Sequence, residues 1–176
     1  MSVDNSLASL ALMQLRLKAL EDEKLVRQCM NRYMQLCDIL GVGFELSTLT
    51  ELFTQDAIWE GKGNRYSKTF GRFEGRTAIA EMFEKYTKEP AHFALNVHFL
   101  ANELIKVDGQ QATASWVLLQ PSTFADGKSQ LSCARITADF REVDGIWRIN
   151  HFQTMNLFSR PIEKPWDNAA LLPVPD

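Results

Sequence analysis

Cysteine is scarce in this chain of 176 residues: Cys29, Cys37 and Cys133 make an odd number with no CxxC spacing. That argues against a disulfide framework and suits free buried thiols in a reducing compartment. Histidine is equally scarce, limited to His92, His98 and His151. The first two, six residues apart on an extended segment, stand about 20 Å from each other, so no ligand-spaced cluster exists and no metal is expected. Basic charge is lacking too. A net charge of −3 gives no field for nucleic acid or an anionic membrane as partner. No apolar run of about 18 residues occurs. The leucine-rich stretch from Ser6 to Leu20 is interrupted by Gln14, Arg16 and Lys18 and has no basic leader before it, so the expectation is a soluble, cytoplasmic protein. GxGxxG, P-loop and GxSxG patterns are all missing, and Gly71-Arg72-Phe73-Glu74-Gly75 fits none of them. No cofactor is expected.

Ordinary length and composition remain, enough for one domain over 1–176 with a real core. Residues 5–39 read as helix. Leu7, Leu10, Met13, Leu17 and Leu20 form one apolar stripe, continued by Leu25 or Val26, Met30, Tyr33 and Cys37. The acidic cluster Glu21-Asp22-Glu23 is read as the start of a second helical segment near Asp22, and Gly41-Val42-Gly43 as its stop. A short amphipathic piece, Leu46 to Phe53, leads to a strand at Ala57-Ile58-Trp59-Glu60. Residues 61–70 read as a loop. Gly75 opens another helix, carrying Ile79, Met82, Phe83 and Tyr86, which ends at Pro90. Four strands are then expected at about 93–107, 111–120, 131–142 and 146–157, with hairpin signals at Asp108-Gly109 and Asp144-Gly145. Helices first and a meander afterwards predict an α+β fold, with helices packed on one face of a curved sheet. The tail over 159–176 holds four of the six prolines. It is expected to be neither helix nor central strand and to lie against a neighbouring surface.

The stretch from Val97 to Gly109 reads as a buried strand with His98 near its start. Two readings stand open: a core histidine bonded to a backbone carbonyl, or a base. If Asp38 accepts a hydrogen bond from His98, the carboxylate fixes the imidazole tautomer and leaves the second nitrogen free to take a proton. Tyr33 then offers a hydroxyl to a developing enolate or a leaving oxygen. Five residues of helix is about 140° of rotation, so Tyr33 and Asp38 share a pocket only if Asp38 lies in the last turn. Asn102, four residues beyond His98, falls on the same strand face by alternation. Trp59, Phe53, Trp116 and Phe152 are aromatic candidates for a pocket wall. Arg135 binds an anion if it points inward, and solvates if it points outward. Trp147 reads as core.

Several motifs together resemble a known pattern. They are Leu20-Glu21-Asp22 leading to Asn31-Arg32-Tyr33 and Asp38, Leu52-Phe53 with Asp56-Ala57, Gly75 with Ala78-Ile79, His98-Phe99 with Asn102, and Asp144-Gly145 with Trp147-Arg148. The pattern is similar to the SnoaL-like branch of the nuclear transport factor 2-like superfamily over roughly residues 18–158. That resemblance implies a cone-shaped α+β barrel, with N-terminal helices on a strongly curved mixed sheet. Within the branch the chain resembles scytalone dehydratase, bile-acid 7α-dehydratase and hexachlorocyclohexane dehydrochlorinase. The first-helix aspartate of these enzymes falls on Asp38, their strand histidine on His98, and the bile-acid enzyme's tyrosine on Tyr33. The resemblance departs at two positions. A second catalytic histidine falls near Ser122, and a strand aspartate falls near Gln120, which is therefore counted with the pocket. The general base of the superfamily's ketosteroid isomerases falls on Gly61. The implied activity is a cofactor-independent, dehydratase-type lyase acting on a small hydrophobic hydroxy-carbonyl compound such as a steroid, polyketide or aromatic. A non-catalytic hydrophobic-ligand-binding domain, or an isomerase or cyclase using the same pocket, is the alternative. The similar eliminating enzymes imply a homo-oligomer, trimer ahead of dimer.

Overall fold

The computed structural model describes residues 2–163, with side chains from residue 7 onward. The first element is one unbroken helix, α1 (Ser2–Asp38). No second segment starts at Asp22, because Asp22 is a buried anchor within the helix. Its Oδ1 accepts the indole Nε1–H of Trp147 at 3.2 Å, and Lys18 reaches it from one turn earlier at 2.8 Å. After α1 come α2 (Ser47–Thr50), β1 (Phe53–Lys62), α3 (Gly63–Thr69), β2 (Arg72–Glu74) and α4 (Arg76–Glu84). Five strands follow: β3 (Phe93–Asn96), β4 (Phe99–Asp108), β5 (Gln111–Phe124), β6 (Ser129–Val143) and β7 (Ile146–Ile162).

The strands form one mixed sheet in the order β2-β1-β7-β6-β5-β3, with β4 also paired to β5. β1 runs parallel to β7, and the other pairs are antiparallel. The helices pack on the inner face of the curled sheet, giving the expected α+β cone. Val26, Met30, Phe53, Ile79, Ile136 and Ile149, all fully buried, fill the space between helix and sheet. No helix among the described residues is long and apolar enough to cross a membrane.

The expected loop over 61–70 is instead the end of β1 followed by α3. Gly63 turns the chain with φ +71°, and α3 folds back onto β1. A Cβ on Gly61 would meet the Tyr66 carbonyl oxygen at 2.2 Å, so the two backbones touch there. Tyr66 and Phe70, one turn apart, pack edge to face at 4.9 Å. Their i, i+4 spacing outweighs the turn-forming residues around them. β7 also continues past its expected end and includes Pro161. β1 pairs with β7 only as far as Met155, so Pro161 has a strand on one side alone and its missing N–H faces no partner strand. The rest of the tail, from residue 164, lies outside the described residues.

Candidate active site

The segment expected as one buried strand over 93–107 is two strands, and His98 sits in the gap between them. Pro121, opposite the gap in β5, has no N–H to give a neighbour; its carbonyl accepts from Val97 N–H at 3.2 Å. The ladder resumes at Phe99, paired with Leu119. The interruption frees the His98 backbone N–H, which donates to Asp38 Oδ1 at 2.8 Å. His98 Nδ1 lies 2.6 Å from the same oxygen. One carboxylate oxygen at the C-terminus of α1 therefore holds both the backbone and the ring of His98. In the neutral ring, an Nδ1–H that donates to Asp38 leaves Nε2 as the accepting nitrogen, on the ring edge away from the carboxylate. The His98 side chain is 11 % exposed and that of Asp38 is 28 %. The imidazole is thus inserted into the protein while its partner carboxylate keeps contact with solvent.

His98 forms part of the wall of a half-open cavity lined by α1, α3, α4 and the inner face of the sheet. About 140 Å³ of it is open to the centre of a water molecule. That is close to the roughly 150 Å³ that accepts a benzene ring, and below the about 300–1,000 Å³ typical of drug-sized ligands. Tyr33 and Cys37 project into the cavity from α1, whereas Asp38 stands behind the imidazole. The 140° between Tyr33 and Asp38 is thereby accommodated: Tyr33 lines the cavity, and Asp38 holds a histidine that lines it. The Tyr33 hydroxyl accepts the Trp59 Nε1–H at 2.9 Å, and its ring packs edge-on against Phe152 at 5.1 Å. Burial raises the Tyr33 hydroxyl well above its ordinary pKa, so it remains a protonated donor. Burial likewise pushes the Cys37 thiol up to about 12, which leaves it neutral and a poor nucleophile.

Of the expected pocket residues, Tyr33, Trp59, His98, Gln120 and Phe152 line this cavity. Four others do not. Asn102 is exposed and adopts φ 52° at an irregularity in β4 between Ala101 and Leu104; the slip breaks the alternation that would have aligned it with His98. β4 as a whole is an outlying, largely exposed strand rather than a buried one. Phe53 is fully buried core behind Tyr33, 5.5 Å from its ring. Trp116 is buried elsewhere in the core, with its Nε1–H on Glu103 Oε2 at 3.0 Å and its ring against Phe140. Arg135 is exposed on the outer face of β6, because the inward positions on either side of it are Ala134 and Ile136.

Two polar cavity residues escaped the sequence reading. Asn96 lies two residues before His98, and Thr154 two after Phe152, so alternation was the available signal for both. Asn96 Oδ1 accepts from Gln120 Nε2 and from Ser122 Oγ, each at 2.8 Å. With its oxygen held by two donors, the Asn96 amide NH₂ is the part left to serve the cavity.

Glu60 faces away from this site. On the outer side of the sheet it binds His151 Nε2 at 2.7 Å, Gln153 Nε2 at 2.9 Å and Lys62 Nζ at 3.0 Å, with Arg72 at 3.2 Å. Burial acts to raise its pKa, but the hydrogen bonds from Gln153, Lys62, His151 and Arg72 outweigh it and hold the carboxyl at about 2. Neither Glu60 nor Gly61 supplies a carboxylate to the cavity: one is turned outward, and the other has no room for a Cβ.

A sequence model of the SnoaL-like domain matches residues 18–153. The chain belongs to the SnoaL-like family. Solved structures agree at the level of the fold. A hexachlorocyclohexane dehydrochlorinase, LinA type 2, superimposes with a TM-score of 0.74 at 15% identity, covering 89% of this chain and 99% of that one. A proposed scytalone dehydratase from Novosphingobium aromaticivorans gives a TM-score of 0.68 at 17% identity, covering 86% and 97%. An NTF2-like protein with a cystatin-like fold from the same organism gives 0.61 at 25% identity, covering 84% and 90%. Among curated proteins none matches the sequence. This SnoaL-like protein thus carries the NTF2-like cone, with dehydratase-like proteins among its structural neighbours.

Proposed function

We propose that this SnoaL-like protein is a cofactor-independent lyase of dehydratase type, with His98 as general base, Asp38 as the residue that orients it and Tyr33 as a hydrogen-bond donor. The observation that carries the reading is the doubly bonded Asp38 Oδ1, which leaves His98 Nε2 as the free, basic edge of a ring in the cavity wall. A carboxylate in that position stabilises the imidazolium formed when the ring takes a proton. The proton removed lies α to a carbonyl. The electrons of the broken C–H bond form the new carbon–carbon double bond as the β-hydroxyl departs, and the proton that His98 took passes to that oxygen, so water leaves and the imidazole is neutral again. The Tyr33 hydroxyl and the Asn96 amide donate to the carbonyl or the departing oxygen. Gln120 and Ser122 occupy the positions at which the resembling enzymes carry further acid–base residues, and here they hold Asn96 instead.

A cavity of this size suits a substrate that places one small ring in it. Its aromatic walls, Trp59, Phe83 and Phe152 among them, suit such a ring. A homo-oligomer is part of the same reading. Leu7, Leu10, Met13, Leu17 and Leu20 are each more than half exposed along one side of α1, and so are Phe99 and Leu104 on β4. Apolar surface of that extent on one helix marks a protein contact. Loss of water from 3-hydroxycyclohexanone, followed as enone absorbance, tests the reaction. The wild type accelerates it and His98→Ala loses about 100-fold or more of that rate; a wild type no faster than buffer counts against the elimination.

A further inference from the structure

Thr154 is the cavity's one threonine, and it stands apart from the polar groups around His98. It projects inward from β7 beside Ile136 of β6, whereas Asn96 lies on β3 and Gln120 on β5. β6 and β5 separate β7 from β3 in the sheet, so Thr154 and Asn96 rise from different sectors of the curled wall. Thr154 is only 6 % exposed. Among the described residues no hydrogen bond engages its Oγ1. It is not sealed off either, for among those residues the sealed, unpartnered side-chain atoms are Arg76 Nε and Arg141 Nε. Thr154 therefore brings a hydroxyl to the cavity lining, in a wall it shares with Trp59, Tyr66, Phe152 and Ile136. A valine of the same shape would present no polar atom there, so what the hydroxyl adds to this wall is a hydrogen-bonding point for whatever occupies the cavity.

We infer that Thr154 Oγ1 is a second polar recognition point, one that reads an oxygen function on the substrate remote from the group acted on at His98. The inference rests on the proposed function in deepening its substrate class: a single ring carrying two oxygen functions, one for the Asn96–His98 side and one for Thr154. A hydroxyl both donates and accepts, so either a hydroxyl or a carbonyl satisfies it. A ring oxygenated at one end alone leaves one of the two stations unpaired.

The test is a binding measurement, independent of turnover. Phenol and hydroquinone are titrated against the full chain, with dissociation constants read by ligand-observed NMR. The wild type is expected to prefer hydroquinone by about tenfold, the size of one neutral hydrogen bond. Thr154→Val, which keeps the shape, abolishes the preference, while Thr154→Ser, which keeps the hydroxyl, preserves it. The elimination assay is scored on its own, so a wild type that fails to eliminate yet still prefers hydroquinone counts against the proposed chemistry and leaves this inference standing. Equal affinities in the wild type, or an undiminished preference in Thr154→Val, overturn it.

Discussion

Asp38 Oδ1 takes two hydrogen bonds from one residue, and both run to His98. Asp38→Asn keeps an oxygen there but removes the charge that stabilises an imidazolium. It is expected to fold normally by circular dichroism and to lose about 100-fold in kcat. Tyr33 has a structural duty beside its proposed catalytic one. Tyr33→Phe removes the acceptor of the buried Trp59 Nε1–H, and urea unfolding should show a loss of about 1–3 kcal/mol. Glu60 sets an acid limit on stability. Its pKa falls from 4.5 to about 2 on folding, so its contribution is fully present above pH 4.5 and disappears as the pH falls towards 2. Thermal melts of the wild type should therefore decline across that window, and Glu60→Gln should show a shallower decline from a lower plateau. His98 was legible as a polar residue in an apolar stretch, but Asp38, 60 residues away, was legible as its partner only through the family resemblance. Asn102 was misassigned because a slip in register is invisible to strict alternation.

The long N-terminal helix, the helix after Gly75 and the closing meander all followed from periodicity, which survives wherever one face is buried against a core. The gap in front of β4 did not, since an apolar run reads the same with or without a break; Pro121 on the partner strand is its physical cause. The helix α3 was hidden by Gly61, Gly63 and Asn64, which resemble turn residues but serve close packing. Gly61→Ala would drive a Cβ into the Tyr66 backbone. The expected cost is about 3 kcal/mol, measurable by denaturant unfolding, with the cavity wall at Tyr66 and Phe70 displaced.

For the SnoaL-like protein as a whole, the order of elements and the motif spacing made the fold readable before any coordinates. The cavity was not, because its volume depends on how tightly the sheet curls around α1 and α4. The same holds for association. The leucine stripe on α1 was visible as a pattern, yet only the folded chain reveals that Leu10 and Leu17 remain exposed. Light scattering should report a multiple of the 20.1 kDa chain mass, and the double change Leu10→Glu with Leu17→Glu should reduce it towards one copy. The account depends most on proton removal by the imidazole, which exchange measures without any leaving group. Cyclohexanone in D₂O, followed by proton NMR, should lose its α-protons faster with the wild-type protein than in buffer. His98→Ala should abolish that acceleration and Asp38→Asn should cut it about 100-fold. Exchange by both variants at the wild-type rate would contradict the Asp38–His98 base.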